Sequence, residues 1–114
     1  MSANHGTLPA ATALAFDALV TPTPHGIASR VLAKAAGGTV TLLAFDAGES
    51  LSEHTAPFDA LVHVLGGSFT LTIGGTAVEA PAGAFVRLPA GVPHAVEAAG
   101  PSRMVLTMLR EAAG

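Results

Sequence analysis

The segment between Gly48 and His94 restricts most what this chain can become. In its middle, Phe69, Leu71 and Ile73 alternate with Ser68, Thr70 and Thr72. A period of two puts all the apolar side chains on one face of a strand and the hydroxyls on the other, which no helix does. Glycine and proline punctuate both sides. Gly66-Gly67 precedes the alternation, Gly74-Gly75 follows it, and Pro81-Ala82-Gly83 and the run Pro89 to Pro93 mark two further reversals. Such dipeptides supply the positive φ or the fixed φ that tight turns need.

The pattern continues outside the segment. Ile27 to Ala35 and Thr39 to Phe45 are strand-like runs on either side of Gly37-Gly38, the expected two-residue hairpin turn. Gly100-Pro101 precedes a last run, Arg103 to Leu109. No stretch carries a helical apolar stripe with start and stop signals. Short strands at regular spacing with turn residues between them predict an all-β sandwich or barrel.

Length and composition narrow the class. With 114 residues the chain is one domain. Residues 1–25 read as an N-terminal arm, 26–110 as the barrel and 111–114 as a C-terminal tail. Half of the chain is apolar and only 11% is charged, against roughly a quarter in typical domains. So few charges cannot cover the surface, and a homodimer that hides apolar area is expected, with strands or the arm between subunits. The net charge of −3 speaks against nucleic acid and anionic membrane as partners. There is no cysteine, hence no disulfide and no thiolate ligand. The absence of a charged n-region and of a spanning apolar run makes the expected location cytoplasmic.

Two stretches resemble the cupin superfamily, the double-stranded β-helix barrels of jelly-roll type. Its first motif combines a glycine, a His-x-His pair, a glutamate and a closing glycine. Gly48, His54 and Gly67 stand at the positions of the first glycine, the first histidine and the last glycine. Its second motif is matched at every spacing by Gly83, Pro89, Gly91 and His94, with Glu97 in place of the usual asparagine. The resemblance spans about residues 26 to 110. It implies one pocket containing His54 and His94. It also implies that a divalent metal (Fe, Mn, Zn or Ni) would meet these two imidazoles, with Ala56 where the second histidine is usual and Ala60 where the glutamate is usual. Neither alanine donates an electron pair, so the ligand set is incomplete.

The expected pocket is therefore His54 and His94 on an apolar wall of Ala56, Ala60, Val62 and Val64, widened by the truncations to alanine. Such a cavity suits a small organic ligand held by a few polar anchors. The alternative is a metal-dependent enzyme of isomerase or dioxygenase type, with His54 and His94 as ligands beside waters. A structural or partner-binding barrel is the third reading. His63 shares no face with Ala60 in a regular strand and is expected to point outward. His5 and His25 read as solvated bystanders, and Glu53, Asp59 and Glu97 as exposed carboxylates. Phe45, Phe58, Phe69, Phe85, Met104, Leu106 and Met108 read as core, some of them lining the pocket. No nucleophile with a base partner is evident around Ser50, Ser52 or Thr55.

Overall fold

The structure is a computed structural model that describes residues 6–110. His5 and the tail 111–114 lie outside the described residues. Nine strands follow one another: β1 (Ile27–Ala35), β2 (Gly38–Phe45), β3 (Ser50–His54), β4 (Asp59–Gly66), β5 (Ser68–Ile73), β6 (Thr76–Pro81), β7 (Phe85–Leu88), β8 (His94–Ala98) and β9 (Ser102–Leu109). They form a five-stranded sheet in the order β1-β2-β9-β4-β7 and a four-stranded sheet in the order β3-β8-β5-β6. Every pairing is antiparallel. The fold is all-β, as the turn spacing predicts, and it is the jelly roll that the resemblance implies.

The alternation decides what is inside. Phe69 and Leu71 from β5 and Val96 and Ala98 from β8 meet Phe45 from β2, Ala60, Val62 and Val64 from β4, Leu88 from β7 and Met104 from β9. Phe69 sits edge-on to Phe45 with ring centroids 5.0 Å apart, joining the two sheets at the centre. The chain crosses from one sheet to the other between β4 and β5, at Gly67. Its φ is +68°, and a Cβ there would collide with the Ser102 side chain and the Pro101 carbonyl. That seam is held by Ser68 N–H, which donates to Ser102 Oγ at 3.1 Å.

Two local expectations shift. The first hairpin turns on Ala36-Gly37, and Gly38 already pairs with Ala35 and Leu109. Gly38 is needed for closeness to its neighbour, since a Cβ would strike the Met108 carbonyl oxygen. Phe85 is not core but 69% exposed. In β7 the inward phase falls on Val86 and Leu88, which pair with Val62 and Ala60, so Phe85 is turned out together with His63. Glu97 is the exposed carboxylate expected: it lies within β8, on the outer side of the four-stranded sheet, in line with Ser50 and Thr70.

The arm folds back on its own chain. A single 3-10 turn, Phe16–Ala18, leads into Leu19 and Val20, which are buried against Leu42 and Ala44 on the outer side of the five-stranded sheet. Leu8 N–H donates to the Leu32 carbonyl at 2.9 Å. This second apolar cluster explains why the outward residues of β2 are as apolar as its inward ones: both faces of that strand are covered.

Candidate functional site

His94 opens β8 and is 6% exposed. The loop before it is built to aim it. Gly91 has φ +74°, a left-handed conformation that side-chain-bearing residues rarely adopt. Its N–H donates to the Ala56 carbonyl at 2.8 Å, and Gly74 N–H donates to the Pro93 carbonyl at 2.8 Å. The carboxylate of Asp59 accepts Ala90 N–H at 2.8 Å and pairs with Arg87 at 3.0 Å. Asp59, a solvated carboxylate by sequence, thus fastens the start of β4 to the loop that carries His94.

His54 closes β3, and its position depends on an irregularity. Leu51 pairs with Val96 and His54 with His94, so three steps along β3 match two along β8. The extra residue is a β-bulge, which changes the parity of a strand. Without it, Glu53 rather than the still partly solvent-accessible His54 would stand opposite His94. A sequence signal for this existed: Leu51 and His54 are three apart, so a regular strand cannot turn both inward.

The two imidazoles meet. Nε2 of His54 and Nε2 of His94 are 3.2 Å apart, with ring centroids separated by 4.4 Å and planes inclined at 69°. Each ring is tethered by its other nitrogen, His54 Nδ1 to the Ser52 carbonyl at 2.8 Å and His94 Nδ1 to the Val92 carbonyl at 3.2 Å. Carbonyls only accept, so the network assigns the protons to Nδ1 in both neutral rings. The two Nε2 lone pairs then face one another. They need something electron-poor between them: a shared proton, a donor group of a ligand or a cation.

The pair opens on an apolar cavity of about 60 Å³, whose wall includes Ala56, Ala60 and Val62 together with Phe58, Met104 and Met108. Leu43, Leu51, Leu88, Leu106 and Val96 complete the wall. Of these five, sequence reasoning had considered only Leu106. Val64 lies in the core below. The cavity is smaller than the alanines suggested, room for about two waters at ~30 Å³ each, because methionine and phenylalanine side chains fill the space. His63 takes no part. It stacks on Phe85 on the outer face, centroids 4.1 Å apart and planes at 12°. His25 is exposed and its backbone N–H donates to Asp46 at 2.7 Å.

The family model of the cupin domain matches residues 41–110. The chain belongs to the cupin family. Among solved structures, a conserved protein of unknown function from Streptococcus pyogenes is 27% identical, with a TM-score of 0.88 over 95% of each chain. A cupin superfamily protein from Desulfitobacterium hafniense is 24% identical, with a TM-score of 0.85 over 93% of this chain and 97% of that one, a likeness of fold. A cupin 2 conserved barrel domain protein from Leptotrichia buccalis is 35% identical, with a TM-score of 0.76, over 81% of this chain and 45% of that one. No curated protein matches the chain.

Cupins often bind metals, and the site can be tested for fit. Bonds of about 2.1 Å from a metal to both Nε2 atoms would fit their 3.2 Å separation. The described residues offer nothing further: no group of three or more His, Cys, Asp or Glu side chains converges among them, and Ala56 and Ala60 occupy the wall beside the pair. The residues do not fit a metal held by this cupin alone.

Asp59 carries a pH prediction. Its carboxyl is held below the usual value of 3.8, first by the Ala90 N–H and then by Arg87, with desolvation opposing. A carboxyl with a lowered folded pKa contributes stability that is complete above the unfolded value and is lost as pH falls through the folded one. Thermal melts between about pH 2 and pH 5 should therefore fall less steeply in Asp59→Asn than in the native chain. Parallel curves would remove Asp59 from the account of the loop.

Proposed function

We propose that this cupin binds a small organic molecule at the His54–His94 pair, with Ala56, Ala60 and Val62 contributing apolar wall and no metal retained by the chain itself. The observation that carries this reading is the pairing of two tethered imidazoles, their Nε2 atoms convergent, above an otherwise apolar cavity. A few polar anchors in an apolar hollow is the usual chemistry of small-ligand recognition. With Nδ1 of each ring turned to a carbonyl, Nε2 is the atom left to accept, so the matching ligand brings a donor, such as a hydroxyl, to the pair. The apolar outer face around Phe85 and His63 supports a homodimer as the assembled form.

The test uses isobutanol as a donor-bearing probe and follows the histidine ring resonances by NMR. His54 and His94 should shift together and saturably, while His63 on the outer face stays in place. Unchanged His54 and His94 signals would overturn the reading. The second reading, a metal-dependent cupin enzyme whose metal takes its remaining ligands from water or substrate, is favoured by one observation, the metal-compatible Nε2 separation. It gains if stoichiometric Fe, Mn, Zn or Ni survives purification and is lost in His54→Ala and His94→Ala.

A further inference from the structure

A larger concavity than the one at the imidazole pair lies elsewhere on the described residues. It is an open groove of about 570 Å³ on the surface, lined by Pro57, Phe58, Asp59, Ala90, Leu109 and Arg110. Phe58 also lines the interior cavity. One aromatic side chain therefore separates a small internal hollow from a large external one. Neither is a roomy ligand site by itself: the cavity admits only a very small molecule or the end of a larger one, and the groove is open to solvent. Joined, they fall in the range of roughly 300–1,000 Å³ typical of small-molecule sites.

The polar groups along this path are unequally satisfied. Asp59 is occupied by Arg87 and the Ala90 N–H. Arg110 lies over the Phe58 ring, its guanidinium carbon 5.3 Å from the centroid, and its backbone N–H donates to the Gly37 carbonyl at 2.8 Å. Among the described residues no carboxylate is within ion-pair distance of its guanidinium. Two residues beyond Gly37 stands Thr39, in register with Met108 of the cavity wall and hence on the same face. Thr39 is 8% exposed, and its hydroxyl is shut off from solvent with no hydrogen-bond partner among the described residues. An unmet buried hydroxyl is costly in a finished core, and here it adjoins the wall that a ligand would reach.

We propose that the site takes a small organic carboxylate, with the carboxylate on Arg110 in the groove and the apolar body in the barrel, where Phe58 now stands. This rests on the reading of the cavity as a ligand site and names the ligand class. Arginine suits a planar carboxylate because its donors form a matching fork. A single cation beside a neutralised acid suits one negative charge better than the two of a phosphate. Phe58 is the partition: its ring swings out when the ligand enters, and Arg110, which stacks on it, exchanges a weak ring contact for an ion pair.

The test compares benzoate with benzamide, equal in shape and different in charge, by calorimetric titration at low ionic strength, where an exposed pair is least screened. Native protein should bind benzoate at least tenfold more tightly than benzamide. In Arg110→Gln the two should fall within about twofold, with benzamide affinity unchanged, and Arg110→Lys should recover part of the preference. Phe58→Ala should tighten both probes, since no ring then has to be displaced. Each variant is first shown to keep the native far-ultraviolet dichroism. If benzamide binds as well as benzoate, or the preference survives in Arg110→Gln, the carboxylate assignment is overturned while the ligand cavity stands. If neither probe binds native protein or Phe58→Ala, the ligand cavity fails with it.

Discussion

Ala56→His combined with Ala60→Glu turns this cupin into a protein that retains a divalent metal through gel filtration. The two alanines sit in the wall beside His54 and His94, whose Nε2 atoms are already 3.2 Å apart and tethered from behind. Adding an imidazole and a carboxylate supplies the missing electron pairs, and a four-donor set of this kind holds transition metals well. Binding to the folded state alone at a thousandfold excess over Kd adds about 4 kcal/mol. For a domain of this size that is a rise in Tm on the order of 15 °C. Native protein should move by less than about 3 °C on this scale. Without metal the double variant should melt below native, because position 60 is 5% exposed and an unpaired carboxylate there is costly. A folded double variant with no metal-dependent rise would show that the alanines are not what keeps the site from holding a metal.

Phe69→Ala should lower the unfolding free energy by about 3–5 kcal/mol, the usual cost of removing a buried aromatic ring. Phe69 has no exposed surface and meets Phe45 edge to face across the two sheets. The loss combines burial, the cavity left behind and the aromatic pair. A small domain is only about 5–15 kcal/mol stable, so the variant should be partly unfolded near physiological temperature. Urea denaturation gives the number directly. A change below about 1 kcal/mol would mean that the sheets are not joined at this ring. The outward-facing Phe85→Ala provides the contrast and should leave the monomer's stability nearly unchanged.

Much of the fold was legible because turn chemistry is local. Gly74-Gly75 with Ile73 and Thr76 on either side reads as a hairpin and is one, since two successive residues with positive φ leave few alternatives. Residues whose meaning depends on distant partners were harder. Phe85 looked like core because aromatics usually are, but its phase is set by pairing with β4, across a long separation in sequence. Leu19 and Val20 sit in a stretch with no clear period, and they are buried because the outer side of β2 is apolar. At the site, His54 and His94 stand out in the sequence through the motifs that the chain resembles. Their tautomers, the filling of the cavity by Met104 and Met108, and the part of Arg110 depend on side-chain directions that no periodicity reveals.

The added residue in β3 has a consequence beyond geometry. Glu53 and His54 are neighbours, and a single unit of strand slack decides which of them looks into the barrel. Gaining one amino acid between Leu51 and Glu53, with the bulge kept, would set Glu53 opposite His94 and exchange a base for an acid on the inner wall without altering either side chain. The chemistry of this hollow can therefore be rewritten by changing the length of a strand as readily as by replacing a residue.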